Sequence, residues 1–314
     1  MKTQLLGTSS LRVTRLSYGC MRLTGGEWDK SKVGPDQIKK GVAAVEAAYD
    51  AGYTFFDNAD IYGDTACEEI FGQALKLHPA WREKMVVVTK CGIRWEDEPA
   101  GAPHRYDFSR EHIVASAEAS LKRMQLDAID LLLLHRPDFL ADPAEIAAAF
   151  VALRQSGKVR EFGVSNFRPS LLAAVQSALP FALQANQVEI HPFRLDCFTD
   201  GTLDQCLERR VTPMAWSPIA GGKVGTGAEV PADASDRAKK LNLLAVLDKE
   251  AVALGTDRTN VALAWLLRHP AGIVPVIGTA DPARIRSMAK ADALELGREA
   301  WYRILLAARG EKLP

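Results

Sequence analysis

Short runs rich in leucine and β-branched residues alternate with longer segments of helical period through most of the chain. The runs that predict strands are Leu16–Met21, Thr54–Asn58, Met85–Cys91, Ile129–His135, Glu161–Asn166, Gln184–Ile190, Val211–Ser217 and Ile273–Thr279. Several are apolar at consecutive positions, as in Val86-Val87-Val88 and Leu131 to Leu134, which suits a parallel sheet covered by helices on both faces. Helix start signals stand between them. Asp142-Pro143-Ala144-Glu145 combines an Asp N-cap with a first-turn proline, Asp281-Pro282 repeats it, and Ser109 caps a helix predicted to run to about Gln125.

Eight strands, each followed by a helix, is the count of an α/β fold of the (β/α)8 TIM-barrel type. A doubly wound open sheet shares this alternation, but no GxGxxG follows the first strand. Ahead of that strand, Lys2 to Leu16 reads as two extended pieces around Gly7-Thr8-Ser9, an N-terminal β-hairpin expected to close the bottom of the barrel. Ala220 to Ala234 reads as a long loop after the seventh strand, and helical patterns at about Ala238–Leu254 and Arg298–Arg309 fall outside the eightfold count. Without a low-complexity linker or a repeat beyond the βα unit, the expectation is one barrel domain over residues 1–314.

Composition excludes more than it names. Area scaling for a chain of this size predicts about 13,000 Å² of folded surface against roughly 50,000 Å² unfolded, so a large core is available. The balance of 39 Lys+Arg against 39 Asp+Glu argues against generic nucleic-acid binding. Five cysteines with no CxxC pair form neither a disulfide framework nor a zinc site and fit a reducing compartment. The N-terminal residues lack the apolar stretch of a signal peptide, and the aliphatic run Leu131 to Leu134 is far short of the roughly 20 residues that span a bilayer. A cytoplasmic protein without membrane or nucleic-acid partners is the expectation.

In a barrel the C-terminal strand ends carry the chemistry. Those ends hold Asp57, Lys90, His135, Ser165-Asn166, Gln187, Trp216-Ser217 and Gly278-Thr279, with Tyr62 five residues beyond Asp57. A polar strand end is unremarkable alone, since strands stop at water. Asp, Tyr, Lys and His from strands two, three and four must converge if the barrel closes. A lysine ammonium beside a tyrosine favours the phenolate and lowers a pKa otherwise near 10. Asp57 can hold Lys90 charged, and His135 can hydrogen-bond a substrate oxygen. A proton donor without a metal-ligand cluster or an activated serine or cysteine points to reduction by a cofactor's hydride.

The hairpin, Asp57-x4-Tyr62, Lys90, His135, Ser165-Asn166 and Gln187, in this order, resemble the aldo-keto reductase superfamily over roughly residues 2 to 290. The closest local matches are Phe56-Asp57-Asn58-Ala59-Asp60-Ile61-Tyr62-Gly63 and Gly163-Val164-Ser165-Asn166-Phe167. The resemblance implies a catalytic tetrad of Asp57, Tyr62, Lys90 and His135, with Tyr62 as general acid/base, and a nicotinamide cofactor in the barrel mouth. Ser165, Asn166 and Gln187 would bind its carboxamide and Trp216 would stack on its ring. Ser217, Pro218, Ile219, Gly221 and Gly222 would approach the pyrophosphate, and Gly19 and Met21 the ribose side. Gly278, Thr279 and Arg284 resemble the adenosine 2′-phosphate site, near a helix N-terminus that favours an anion. NADP(H) is therefore expected over NAD(H), although many relatives have lysine at the position of Gly278 and asparagine at that of Met288.

The small-molecule carbonyl substrate would meet Trp28, Trp95 and the turn Arg136-Pro137-Asp138. Only Gly310 to Pro314 follow the last helix, so an open, permissive pocket is expected. Two alternatives are a cofactor-binding regulatory or sensor subunit of the same fold, and a barrel aldolase using Lys90 as a Schiff-base nucleophile.

Overall fold

The computed structural model describes residues 1–313. Eight parallel strands close into a barrel in chain order: β1 (Ser17–Gly19), β2 (Phe55–Asp57), β3 (Val86–Cys91), β4 (Ile129–Leu134), β5 (Val159–Ser165), β6 (Ala185–Glu189), β7 (Thr212–Trp216) and β8 (Val274–Ile277). The last strand pairs with the first through Val276 against Ser17 and Ile277 against Tyr18. The open-sheet alternative is thereby excluded.

Helices α1 (Pro35–Asp50), α2 (Ala66–Leu77), α3 (Arg110–Met124), α4 (Pro143–Gln155), α5 (Pro169–Ala178) and α6 (Thr202–Arg209) follow the first six strands. Two, α7 (Arg237–Ala253) and α8 (Arg258–Leu267), lie between β7 and β8; α9 (Pro282–Met288) and α10 (Arg298–Arg309) follow β8. The two patterns outside the eightfold count are α7 and α10, which pack on each other. The start signals act as caps. Ser109 accepts from the His112 N–H, Asp142 from the Ala144 N–H, and Asp281 from the Ala283 and Arg284 N–H groups.

Alternation along each strand builds two cores. Phe55, Val86, Val88, Leu131, Leu133, Ala185, Met214 and Val274 point inward and fill the barrel. Their outward neighbours, such as Phe56, Val87, Leu132 and Leu134, pack under the helices. The surface of 14310 Å² is close to the area-scaling expectation.

The N-terminal hairpin pairs Thr3–Leu5 with Arg12–Thr14 and drives Leu6 and Val13 into the barrel interior. Its turn binds the N-terminal ends of β6 and β7: the Gly7 N–H donates to Thr212 Oγ1 and the Thr8 N–H to Gln184 Oε1, both at 2.8 Å. Gly7 has φ +57°, and a Cβ there would lie 2.4 Å from Gln184 Oε1 and 2.7 Å from the Gln184 carbonyl. The turn needs glycine. With the bottom closed, the C-terminal end is the open one.

Several strands end before the apolar pattern does. β1 gives way after Gly19 to a short 3₁₀ turn, Cys20–Arg22, and β8 stops at Ile277 before Gly278-Thr279. Asn166 after β5 and Ser217 after β7 adopt left-handed backbone, φ +59° and +50°. These departures turn residues out of the sheet and into the mouth.

Candidate active site

Two-residue periodicity sets what faces the barrel axis above the apolar plug. Two residues beyond Phe55 stands Asp57; two beyond Val88, Lys90; two beyond Leu133, His135; two beyond Ala185, Gln187. Tyr62 comes from the β2–α2 loop, whose fold is pinned by Asn58 N–H to the Val88 carbonyl at 2.9 Å and Asp60 N–H to the Lys90 carbonyl at 3.1 Å.

Lys90 is fully buried, and its ammonium makes three hydrogen bonds: to Asp57 Oδ2 at 2.8 Å, the Asn58 carbonyl at 2.8 Å and Tyr62 Oη at 2.9 Å. The other Asp57 oxygen accepts from Gln187 Nε2 at 2.8 Å. Burial works against the lysine charge, but Asp57 and Tyr62 outweigh it and hold the pKa above its ordinary value. All three donors are engaged, so no free amine stands ready to attack a carbonyl as an aldolase requires.

Tyr62 behaves differently from the sequence-based expectation. Burial raises its pKa, and the lowering by Lys90 only partly opposes that. The expected net lowering is therefore corrected: desolvation wins, and the phenol is neutral at pH 7. Because Oη accepts from Lys90, its own proton is free for another acceptor. His135 lies beside it, ring centroids 5.9 Å apart at 80°. Burial, then the charges of Lys90 and Arg136, hold His135 well below the ordinary histidine range, so the ring is neutral. Its Nδ1 is buried without a partner.

The cavity at the mouth encloses about 500 Å³. Of the predicted site residues, Gly19, Met21, Trp28, Asp57, Tyr62 and His135 line it from the first half of the barrel. Ser165, Asn166, Gln187, Trp216, Ser217, Pro218, Ile219, Gly221, Gly222, Gly278, Thr279 and Arg284 line it from the second. Two do not. Lys90 acts from behind Tyr62, and Trp95 stands off the wall, its ring edge-on to Trp28 at 6.4 Å, so it props that wall instead of forming it. Residues the strand-end reading missed include Arg22, Ile61 and Ile93. Ile93 reaches the cavity in a ribbon pairing Ile93–Arg94 with Arg105–Tyr106, and no sequence signal marked that pairing. A larger, more open groove of about 990 Å³ lies on the flank against Phe198, Trp301 and Lys239 and contains none of the tetrad.

A chain of hydrogen bonds crosses the second half of the mouth. Trp216 Nε1 donates to Asn166 Oδ1 at 2.9 Å, Asn166 Nδ2 to Ser165 Oγ at 2.9 Å and to the His135 carbonyl at 3.2 Å, and Ser165 Oγ to the Gln187 carbonyl at 2.8 Å. Gln187 Oε1, by contrast, has no hydrogen-bond partner among the described residues. Gly221 and Gly222 have φ +65° and +99° with open space where a Cβ would stand, so backbone conformation, not crowding, calls for glycine.

The helix N-terminus near Arg284 departs from expectation. The Asp281 carboxylate already accepts the first-turn N–H groups of α9, which hold its pKa below the usual range. An anion here would meet the Arg284 side chain and the Thr279 hydroxyl, with those backbone donors already taken. Cys20 and Cys91 are buried, and burial pushes both thiols well up, which makes them packing groups, unreactive as nucleophiles.

A family model described as Aldo/keto reductase family matches residues 15–305. The uncharacterized oxidoreductase YcsN of Bacillus subtilis is 42% identical over 307 residues, covering 97% of each chain. The 6-dehydroglucose reductase of Novosphingobium aromaticivorans is 41% identical over 315 residues, covering 98% of this chain and 96% of its own. Among solved structures, the glycerol dehydrogenase AKR11B4 of Gluconobacter oxydans superposes with a TM-score of 0.84 at 25% identity, over 99% of this chain and 97% of that one. The closed barrel, the convergence at its mouth and these similarities agree: the chain belongs to the aldo/keto reductase family and is an NAD(P)H-dependent oxidoreductase of carbonyl chemistry.

Proposed function

We propose that this protein reduces an aldehyde or ketone to the alcohol with NADPH, and that Tyr62 donates the proton. One observation carries the reading: a neutral buried phenol whose oxygen accepts from Lys90 at 2.9 Å while its proton is free toward the cavity. As that proton leaves, negative charge develops on Oη, and the lysine ammonium is already in place to stabilise it. Asp57 and Gln187 keep the ammonium oriented. The neutral His135 offers a ring N–H to the substrate oxygen and aligns it.

The residues present suit a nicotinamide cofactor. Gln187 Oε1 is free to accept from a carboxamide, Trp216 offers an aromatic face, and Ser165 and Asn166 add polar groups beside them. When bound, the cofactor supplies the hydride. Arg284 and Thr279 favour a 2′-phosphate and hence NADPH over NADH. Five unpaired, buried cysteines accord with a reducing, cytoplasmic setting.

The test is cofactor oxidation across a panel of aldehydes, ketones and 6-dehydroglucose, run with NADPH and NADH in parallel. Carbonyl-dependent oxidation, more efficient with NADPH, is the expected result. Replacing Arg284 with Ala should raise KM for NADPH by about 10- to 100-fold, the worth of a hydrogen bond to a charged group, and leave KM for NADH nearly as it was. Equal efficiencies with the two cofactors would overturn the preference; no oxidation with any carbonyl would overturn the reading.

A further inference from the structure

Arg136 is a cavity residue that takes no part in the proton and hydride chemistry above. It follows His135 directly, is half-buried, and lines the cavity. Its guanidinium lies over the Trp216 ring, 5.5 Å from the centroid. Trp216 is itself fixed through Asn166 to the His135 carbonyl, so the ring beneath Arg136 is held in place. On the far side, Asp138 accepts from the Phe108 and Leu140 N–H groups, which fixes the turn that carries it.

What Arg136 lacks is an anion. Among the described residues Asp57 is the one carboxylate on the cavity wall, and both its oxygens are already engaged by Lys90 and Gln187. Among the described residues no carboxylate forms an ion pair with Arg136, and its five N–H groups make no hydrogen bond to the chain. A half-buried guanidinium, held over the Trp216 ring but without acceptors among the described residues, is prepared for acceptors that arrive with a ligand. Its closeness to the reacting end shows in its neighbour His135, whose imidazole is held neutral by burial first, then by Lys90 and Arg136.

We propose that Arg136 is a specificity-determining residue, selecting carbonyl substrates that carry acceptor oxygens, of a carboxylate or of hydroxyls, near the reacting carbonyl. The proposal rests on the carbonyl-reductase reading and narrows its substrate class. Apolar aldehydes can enter the same cavity against Trp28, Ile61 and Ile93, but they leave the guanidinium without its acceptors and forgo that binding energy.

Two matched pairs test it: propanal against glyceraldehyde for hydroxyls, and butanal against succinic semialdehyde for a carboxylate. NADPH oxidation is followed with the wild type, Arg136→Met and Arg136→Lys, and NADPH affinity is titrated for each to show that the fold and cofactor site survive. In the wild type at least one oxygen-bearing member should exceed its alkyl partner in kcat/KM by about tenfold or more, as expected for a charge-assisted hydrogen bond. In Arg136→Met that ratio should collapse toward one, mainly through KM, with Arg136→Lys intermediate. The pair that collapses identifies hydroxyl or carboxylate. The proposal fails if the wild type reduces alkyl and oxygen-bearing members alike, or if Arg136→Met lowers all four by one common factor. Should no carbonyl be reduced by the wild type, the carbonyl-reductase reading falls first and this proposal with it.

Discussion

Tyr62, Lys90 and Asp57 make one unit in which each member sets the state of the next. The ammonium exists in a fully buried place because Asp57 faces it at 2.8 Å, and the phenol keeps its proton because burial outweighs the pull of that ammonium. These three residue types, with His135, and their order were legible in the sequence. The sign of the tyrosine shift was not, because desolvation depends on how deeply the loop packs, and spacing along the chain does not report it. A pH prediction follows. His135 titrates below its ordinary range and Tyr62 above its own, so neither changes charge between about pH 6 and pH 8, and kcat/KM for reduction should be flat there. The protonated phenol is present below its raised pKa, so the loss belongs on the alkaline side, above the ordinary tyrosine value of about 10. A fall centred between pH 6 and 7 would show that His135 is not held neutral. Its disappearance in His135→Gln would assign that fall to the ring.

At the scale of elements, the strands were legible because both faces are apolar, and the caps because Asp-Pro and Ser mark helix starts. What periodicity overran was the strand ends, at Cys20, Asn166, Ser217 and Gly278. At Cys20 the chain leaves the sheet through a 3₁₀ turn, at Asn166 and Ser217 through left-handed backbone that puts both on the cavity wall, and β8 simply ends before Gly278. Contacts between distant segments stayed hidden, such as the ribbon that brings Ile93 to the wall and Trp95 behind Trp28. The hairpin allows an independent check, far from the mouth. Gly7→Ala forces a Cβ against Gln184 at a left-handed position, and should cost about 1–3 kcal/mol, measured as a lower urea midpoint at unchanged slope. Activity per folded molecule should be preserved. An unchanged midpoint would mean that the turn relaxes freely and does not lock the barrel floor.

Across the whole molecule, a net charge of zero conceals a polarised mouth. Arg22, Arg136 and Arg284 face the cavity there, while Asp57, the one wall carboxylate among the described residues, is neutralised by Lys90. An anionic cofactor and an oxygen-bearing substrate fit such a field, although the total composition suggests neither. The barrel arranges this by topology: Asp57, Lys90 and His135, tens of residues apart in sequence, come from the neighbouring strands β2, β3 and β4, and closure through β8 and β1 brings Gln187 of β6 across to Asp57. The account stands on one proton. Tyr62→Phe removes the phenolic hydroxyl and keeps the ring, so NADPH-dependent carbonyl reduction should fall by about 10²- to 10⁴-fold in kcat, the usual worth of a positioned general acid, while NADPH binding, titrated on the same protein, stays close to wild type. Turnover by that variant within a few-fold of wild type would contradict Tyr62 as the proton donor.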